Sequence, residues 1–202
     1  MKKNICVIFF FFLFFSAFAQ QKFDKEFSVG ANSGLILSKI DFIPAIEQQY
    51  LMGYNGGVSA RFIAEKHFGI QTELNFSQRG WKSDSLASHT LNYLELPLLT
   101  HLYFGKKKVR VIINLGPKIA YLLSEKSSHS ENEPVIKDWK RFDYGICGGG
   151  GLEFHTKKLA YVLEGRYYFG LADIFPISKG YDEFERSANR NITVNFTVFW
   201  QL

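Results

Sequence analysis

The chain has 202 residues, of which 47% are hydrophobic, 17% aromatic and 21% charged, and its formal net charge at pH 7 is +5. This length suits a single domain. A positive excess this small, with no dense basic patch, does not indicate a nucleic-acid-binding protein.

The N-terminal segment 1–19 has the pattern of a secretory signal peptide. Lys2 and Lys3 precede an apolar run from Ile5 to Phe15, and small residues follow at the two positions that a signal peptidase reads. The apolar run is shorter than the roughly 20 residues that a membrane-spanning helix needs. We therefore predict cleavage after Ala19 and export of residues 20–202 as one domain.

The mature chain shows no recognisable motif for a cofactor or a metal. Cleavage removes Cys6 and leaves Cys147 as the sole cysteine, which excludes an intramolecular disulfide and a metal site built on cysteines. Gly148 to Gly151 is not followed by the Lys-Ser or Lys-Thr pair of a phosphate-binding loop. Lys106 to Lys108 is typical of a solvated turn. We expect no cofactor, no metal and no nucleic-acid partner.

Eight segments of strand character follow along the mature chain, and turn residues separate them. They are Phe27 to Leu37, Met52 to Ala64, His67 to Arg79, Leu91 to Phe104, Val109 to Leu123, Arg141 to His155, Leu159 to Leu171, and Asn189 to Gln201. An even number of antiparallel strands places both termini at the same end of a barrel.

The connections between these segments alternate in length. Three are tight turns, whereas four are long and polar, namely Ser38 to Leu51, Gly80 to Thr90, Ser124 to Lys140, and Ala172 to Ala188. Short turns at one end and long loops at the other are typical of an outer-membrane β-barrel, in which the short turns face the periplasm.

Apolar and polar residues alternate within the segments, most clearly in the last one. There Ile192, Val194, Phe196, Val198 and Trp200 share one face, and Asn191, Thr193, Asn195 and Thr197 share the other. Segments of about 10 residues with this alternation are the signature of strands that face lipid on one side and a polar lumen on the other.

The polar faces carry acids and bases in equal number, and their placement decides between two kinds of barrel. The residues are Arg61, Glu73, Arg79, Glu95, Arg110, Lys118, Asp143, Glu153, Glu164 and Arg166. A soluble barrel has an apolar interior, which could not contain these charges, whereas a membrane barrel has the reverse arrangement. We expect them to form a structural ion network, because about eight strands enclose only enough space for side chains. A proton path or a solute site on the same residues is the functional alternative.

Aromatic residues gather near the ends of the predicted strands. Phe62, Phe68, Phe104, Phe154 and Trp200 would lie at the periplasmic interface, as an aromatic girdle requires. The predicted fold is therefore all-β, an eight-stranded antiparallel up-and-down transmembrane β-barrel with short periplasmic turns and long extracellular loops. The predicted location is the bacterial outer membrane.

A series of short motifs in strand order resembles the PorT-like outer-membrane β-barrel domain family of Gram-negative bacteria. The motifs are Gly30 to Leu35, Thr72 to Gly80, Asn92 to Pro97, Leu115 to Pro117, Phe142 to Gly145, Gly149 to Glu153, and Arg166-Tyr167. The resemblance implies an integral barrel and, for some members, a role in protein secretion or surface assembly. It carries over no catalytic residue. The implied partners are outer-membrane lipid and the barrel insertion machinery, which would read the C-terminal strand.

Three function classes remain open from the sequence. The first is a non-enzymatic scaffold, assembly or secretion accessory, or surface interaction protein, whose long loops contact a protein partner. Aromatic residues for such a contact are Trp139, Phe175, Tyr181 and Phe184. The alternative for these side chains is packing on the barrel rim and the lipid interface. The second is a narrow solute-binding or conducting barrel. The third is an outer-membrane hydrolase or acyltransferase, which needs a nucleophile beside a base.

The five histidines give the enzyme class little support. They are scattered along the chain, at His67, His89, His101, His129 and His155, and none stands in a recognisable pairing with a serine or an aspartate. His101 is predicted to face the lumen, and His89 and His129 are predicted to lie in surface loops. We expect no catalytic residue.

Overall fold

A computed structural model describes residues 24–45, 47–83, 88–106, 108–128, 140–175 and 185–202. The predicted signal peptide lies outside these ranges. The strands are β1 (Glu26–Ile43), β2 (Gln48–Glu65), β3 (Phe68–Ser83), β4 (Ser88–Lys106), β5 (Val109–Ser128), β6 (Phe142–His155), β7 (Leu159–Asp173) and β8 (Arg186–Gln201). No helix in the described ranges is long and apolar enough to cross a membrane.

Each strand pairs with its neighbour in sequence, and β8 pairs with β1 to close the barrel. All eight pairings are antiparallel, so the predicted up-and-down barrel is confirmed. The tight connections 66–67, 107–108 and 156–158 lie at one end, which we call the turn end. The connections 44–47, 84–87, 129–141 and 174–185 lie at the other, which we call the loop end.

Side chains alternate between the two faces of every strand, and the apolar ones point outward. On β7, Leu163 is 53% exposed, whereas the neighbouring Glu164 is 1% exposed. On β8, Val194 is 52% exposed and Asn195 only 3%. Because strand side chains alternate strictly, this pattern turns a lipid-compatible surface outward and a polar surface inward.

Exposed aromatic residues form two bands on the outer surface. The five predicted girdle residues are all exposed and lie next to the turn end, and Tyr54, Phe76, Tyr144 and Phe169 lie toward the loop end. Phe62 follows Tyr54 by eight positions on β2. At about 3.4 Å per residue and a tilt of about 40°, this is ~21 Å along the barrel axis, close to the ~25 Å apolar band of outer-membrane barrels.

The strands continue well past the predicted ends at the loop end, which corrects the predicted loop bounds. β1 runs to Ile43 and β2 starts at Gln48, so the predicted loop from Ser38 to Leu51 shrinks to residues 44–47. The other three predicted loops lose residues to β3, β4, β5, β7 and β8 in the same way. The antiparallel ladder persists there because its hydrogen bonds do not depend on which face is apolar.

The polarity of the two faces reverses in these strand extensions. On β1, Lys39 and Asp41 point outward, while Ile40 and Phe42 point inward and are buried. They join a cluster that we call the loop-end apolar cluster, made of Ile40, Phe42, Trp81, Leu91, Tyr93, Ala120, Leu122, Ile174 and Phe175. Beyond the lipid the barrel surface meets water, so apolar side chains are buried inside as in a soluble protein.

Two residues predicted for surface loops lie in this region. His89 belongs to β4, is buried, and stacks on Trp81 with ring centroids 4.5 Å apart. Phe175 packs parallel to the Phe42 ring at 6.0 Å. The prediction for His89 is wrong because the polar outer face of the extended strands gave this stretch the composition of a loop. Phe175 lies in the connection 174–185, within the predicted loop, but it is buried.

A second cluster, the turn-end apolar cluster, fills the opposite end of the barrel. It consists of Ile63, Tyr103, Ile112, Ala160, Val162 and Phe199. The barrel interior is therefore layered, with apolar side chains at both ends and the charged and amide side chains between and beside them.

Candidate functional site in the barrel interior

The ten ionisable residues predicted for the lumen all point into the barrel. Nine of them are at most 8% exposed, and the side chain of Arg110, near the turn end, is 14% exposed. Five are bases and five are acids, so the formal charges cancel. The structure brings them together in three groups along the barrel axis.

The central group joins opposite walls of the barrel. Arg166 on β7 donates from Nη1 to Oε2 of Glu73 on β3 at 2.8 Å, and from Nη2 to Oε1 at 2.6 Å. Nη2 also donates to Glu164 at 2.7 Å. Glu73 accepts further bonds from Gln71 at 2.7 Å and Asn75 at 2.9 Å. The Arg166 guanidinium thus bonds two carboxylates, and the Glu73 carboxylate accepts hydrogen bonds from three side chains.

The loop-side group is built around Arg79 on β3. Its guanidinium pairs with Glu95 and donates to Asp143 at 3.1 Å. Lys118 donates to the same Glu95 at 3.0 Å. The Tyr168 hydroxyl donates to Asp143 at 3.0 Å, and its ring lies 3.9 Å from Lys118 Nζ and 5.0 Å from the Arg79 guanidinium carbon. Ring faces attract cations, so the tyrosine stabilises both bases.

The turn-side group is built around Glu153 on β6. Arg61 pairs with it from β2, on the opposite wall, and His155 contacts it from its own strand. Arg110 Nη1 lies 3.6 Å from Glu153 Oε1. The Arg61 guanidinium also stacks 4.0 Å over the ring of Phe199, which ties this group to the turn-end apolar cluster.

Uncharged amides link the groups, and sequence reasoning did not single them out. Gln71 accepts from Arg61 at 2.9 Å and donates to Glu73, so it connects two groups. Asn114 donates to Glu164 at 2.8 Å and contacts His101 at 2.8 Å. The alternation of apolar and polar residues does place both amides on the inward faces of their strands.

The described side chains leave little free space at mid-barrel. One cavity of about 20 Å³ lies at mid-barrel among Asn55, Asn75, Arg166, Asn191 and Asn195. About 10–15 Å³ by this measure is the minimum for one water molecule. Three of its lining residues, Asn55, Asn191 and Arg166, each have a buried polar atom without a hydrogen-bond partner. The cavity fits a single water and has no room for a solute.

Three histidines contact an amide, a carboxylate or a backbone carbonyl through a ring nitrogen. His101 contacts Asn114, His155 contacts Glu153, and His67 Nδ1 lies 2.8 Å from the Tyr103 carbonyl. His129 lies outside the described residues, as do Trp139, Tyr181 and Phe184. The described residues contain no group of three or more His, Cys, Asp or Glu arranged to hold a metal ion. Cys147 is buried and faces the interior.

Comparison with known proteins gives one family and several structures. Residues 18–176 match the family model described as outer membrane protein beta-barrel domain. No curated protein matches the chain.

Three similar solved structures share the fold at low sequence identity. OprG, an outer membrane protein of Pseudomonas aeruginosa, has 12% identity and a TM-score of 0.57 over 88% of this chain and 95% of its own. Outer Membrane Protein W of E. coli has 13% identity and a TM-score of 0.52 over 90% of this chain and 100% of its own. Neisserial surface protein A has 10% identity and a TM-score of 0.52 over 89% and 100%.

Proposed function

Because the chain belongs to the family of outer membrane protein beta-barrel domains and is an integral protein of the bacterial outer membrane, we propose that it is a non-enzymatic membrane scaffold with a sealed interior. In this account the barrel works through its surface and loops. Residues 1–19 act as its cleaved leader, and the resemblance of its motifs to the PorT-like family favours a part in secretion or surface assembly.

The observation that carries this proposal is the filling of the interior along its length. The loop-end apolar cluster covers one end, and Arg61, Glu153 and the turn-end apolar cluster fill the other. Between them, the bases and acids are bonded to each other. An ion crossing the barrel would have to break these pairs and leave buried charges without partners, which is strongly unfavourable.

The same packing argues against a solute-binding or catalytic role for the lumen. The mid-barrel cavity of about 20 Å³ is far smaller than the 300–1,000 Å³ of ordinary ligand pockets. The imidazoles of His101 and His155 are engaged by Asn114 and Glu153 in the network rather than by a nucleophile. The ten ionisable residues therefore act as structural ties between strands.

The remaining surface for function is the loop end. The longest connections there are residues 129–141 and 174–185, and connections held by a rigid scaffold commonly carry recognition. We assign to them contact with a protein partner. The C-terminal strand β8, which closes the barrel against β1, is the segment that the insertion machinery would read.

Conductance in planar lipid bilayers tests the sealed interior. Purified barrel should give no stepwise current in concentrated KCl at any applied voltage, while a porin added to the same membrane serves as the positive control. Reproducible current steps from the wild-type protein would overturn the scaffold proposal in favour of a conducting barrel.

Photocrosslinking in cells tests the assignment of contact to the loops. A photoreactive residue in place of Trp139 should give a discrete crosslinked protein species, and the same residue in place of lipid-facing Leu163 should not. Identical crosslinking from both positions, or none from position 139, would contradict the assignment of partner contact to the loops.

A further inference from the structure

The two ends of the barrel carry opposite charge. The three tight connections contain five lysines, Lys66, Lys107, Lys108, Lys157 and Lys158, and no acid, and the adjoining strand ends add Lys106 and Glu65. The four connections at the loop end contain four bases and eight acids. Since the lumen charges cancel, the net positive charge of the mature chain comes from the turn end.

The turn-end lysines lie beside the aromatic band that is next to the turn end. Lys66, Lys108, Lys157 and Lys158 are exposed, and none of them forms an ion pair within the described part of the chain. Lys158 Nζ lies 6.0 Å from the centroid of the Trp200 ring, which is half exposed on the outer surface. Interfacial tryptophan lies at headgroup level, so these ammonium groups are at the height of lipid phosphates.

Two of the turns that carry these lysines are held by local contacts. Thr156 N donates to the Leu159 carbonyl at 2.7 Å, and Gln201 N donates to the Lys158 carbonyl at 3.0 Å. The His67 ring stacks on Phe104 at 5.5 Å, which fixes the turn that contains Lys66 against β4. The three turns alternate with the strands around the barrel, so their lysines surround the rim rather than crowd one side.

We propose that this basic rim binds the headgroups of anionic phospholipids in the periplasmic leaflet and thereby enriches them around the barrel. Lysine side chains extend along the apolar surface while their ammonium groups reach the phosphate layer. Basic residues beside a membrane favour anionic over zwitterionic lipid, and the effect accumulates with their number and falls with salt.

Quenching of Trp200 by brominated lipids in nanodiscs measures this enrichment directly. The Trp81→Phe/Trp139→Phe variant keeps Trp200 as its only tryptophan. Nanodiscs of phosphatidylcholine would contain a small fraction of either brominated phosphatidylglycerol or brominated phosphatidylcholine. We expect an apparent local concentration of the brominated anionic lipid about threefold or more above its bulk fraction, falling toward onefold in high salt.

Charge-neutralising variants identify the residues responsible. Replacing the six turn-end lysines by glutamine should abolish the preference. Lys157→Gln/Lys158→Gln should weaken it, whereas the matched Lys82→Gln/Lys126→Gln variant, which removes two exposed lysines toward the loop end, should keep it. Heat-modifiable gel mobility verifies that each variant is folded. The salt dependence of the wild-type chain provides a second readout that requires no variant.

Two outcomes would overturn the proposal. Equal quenching by the two brominated lipids in the wild-type background would show that the rim does not select anionic lipid. Equal quenching combined with lysine-dependent sedimentation of the barrel with purified peptidoglycan would assign the rim to the cell wall instead.

Discussion

Arg166 and Glu73 connect diametrically opposite walls of the barrel through two hydrogen bonds of 2.8 and 2.6 Å. Their strands, β7 and β3, are four positions apart in a closed ring of eight. Arg61 and Glu153 do the same from β2 and β6. The barrel is thus cross-braced by ion pairs whose partners are 93 and 92 residues apart in sequence.

Removing Glu73 should destabilise the barrel strongly. Glu73→Ala leaves the Arg166 guanidinium buried with Glu164 as its remaining carboxylate, so we expect the free energy of unfolding to fall by about 3 kcal/mol, the lower end of the range for a broken buried pair. Urea unfolding in lipid vesicles, followed by tryptophan fluorescence and heat-modifiable mobility, measures the change.

The exposed Glu125 provides the control for this experiment. Glu125→Ala, which removes an exposed carboxylate near the end of β5, should change stability by at most about 0.5 kcal/mol. In addition, Arg166→Ala should cost less in the Glu73→Ala background than in the wild type, because the pair is already broken. Additive effects of the two substitutions would show that the pair is not coupled.

Two glycines on paired strands should respond differently to alanine. A Cβ on the inward Gly149 would lie 2.0 Å from the Gly165 carbonyl oxygen and 2.7 Å from Arg166 Cα, whereas a Cβ on the outward Gly165 would have no atom within 4 Å. Gly149→Ala should therefore destabilise the barrel by about 1–3 kcal/mol through overpacking. Gly165→Ala should be neutral or slightly stabilising. Equal effects would contradict the described packing of β6 against β7.

A charge on the outer surface should cost most at mid-membrane depth. Val194 pairs with Gly165, midway between the aromatic bands, and Val109 begins β5 at the turn end. Val194→Arg should lower stability by about 2–4 kcal/mol and Val109→Arg by about 0–1 kcal/mol. Unfolding of both variants in the same vesicles measures this difference. A similar small cost at both sites would mean that the outer barrel surface around Val194 faces water instead of lipid.

The strand number and the up-and-down topology were predictable because alternating segments follow one another with connections that are short at one end and long at the other. The outward apolar face was predictable because an apolar interior could not contain the charges of the opposite face. The strand ends at the loop side were not. Beyond the lipid the solvent changes from hydrocarbon to water, so Ile40 and Phe42 reverse the pattern that identifies the membrane segment, and His89 was assigned to a loop for the same reason.

The pairing of the charges was also beyond sequence reasoning. Alternation indicates that Glu73 and Arg166 share the interior, but which residues meet across it depends on the stagger of the strands, and alternation does not specify that stagger. The amides Gln71 and Asn114 carry no charge to attract attention, although they connect the ionic groups.

Reactivity of Cys147 toward a water-soluble maleimide tests the sealed interior most directly. This thiol faces the middle of the barrel and is 3% exposed, and it is the sole cysteine of residues 20–202. We predict no labelling of the folded mature barrel in vesicles and full labelling after heating in SDS, while a cysteine introduced by Thr156→Cys at the exposed turn labels in both states. Rapid labelling of Cys147 in the folded barrel would show that water and solutes reach the lumen, and would contradict the account.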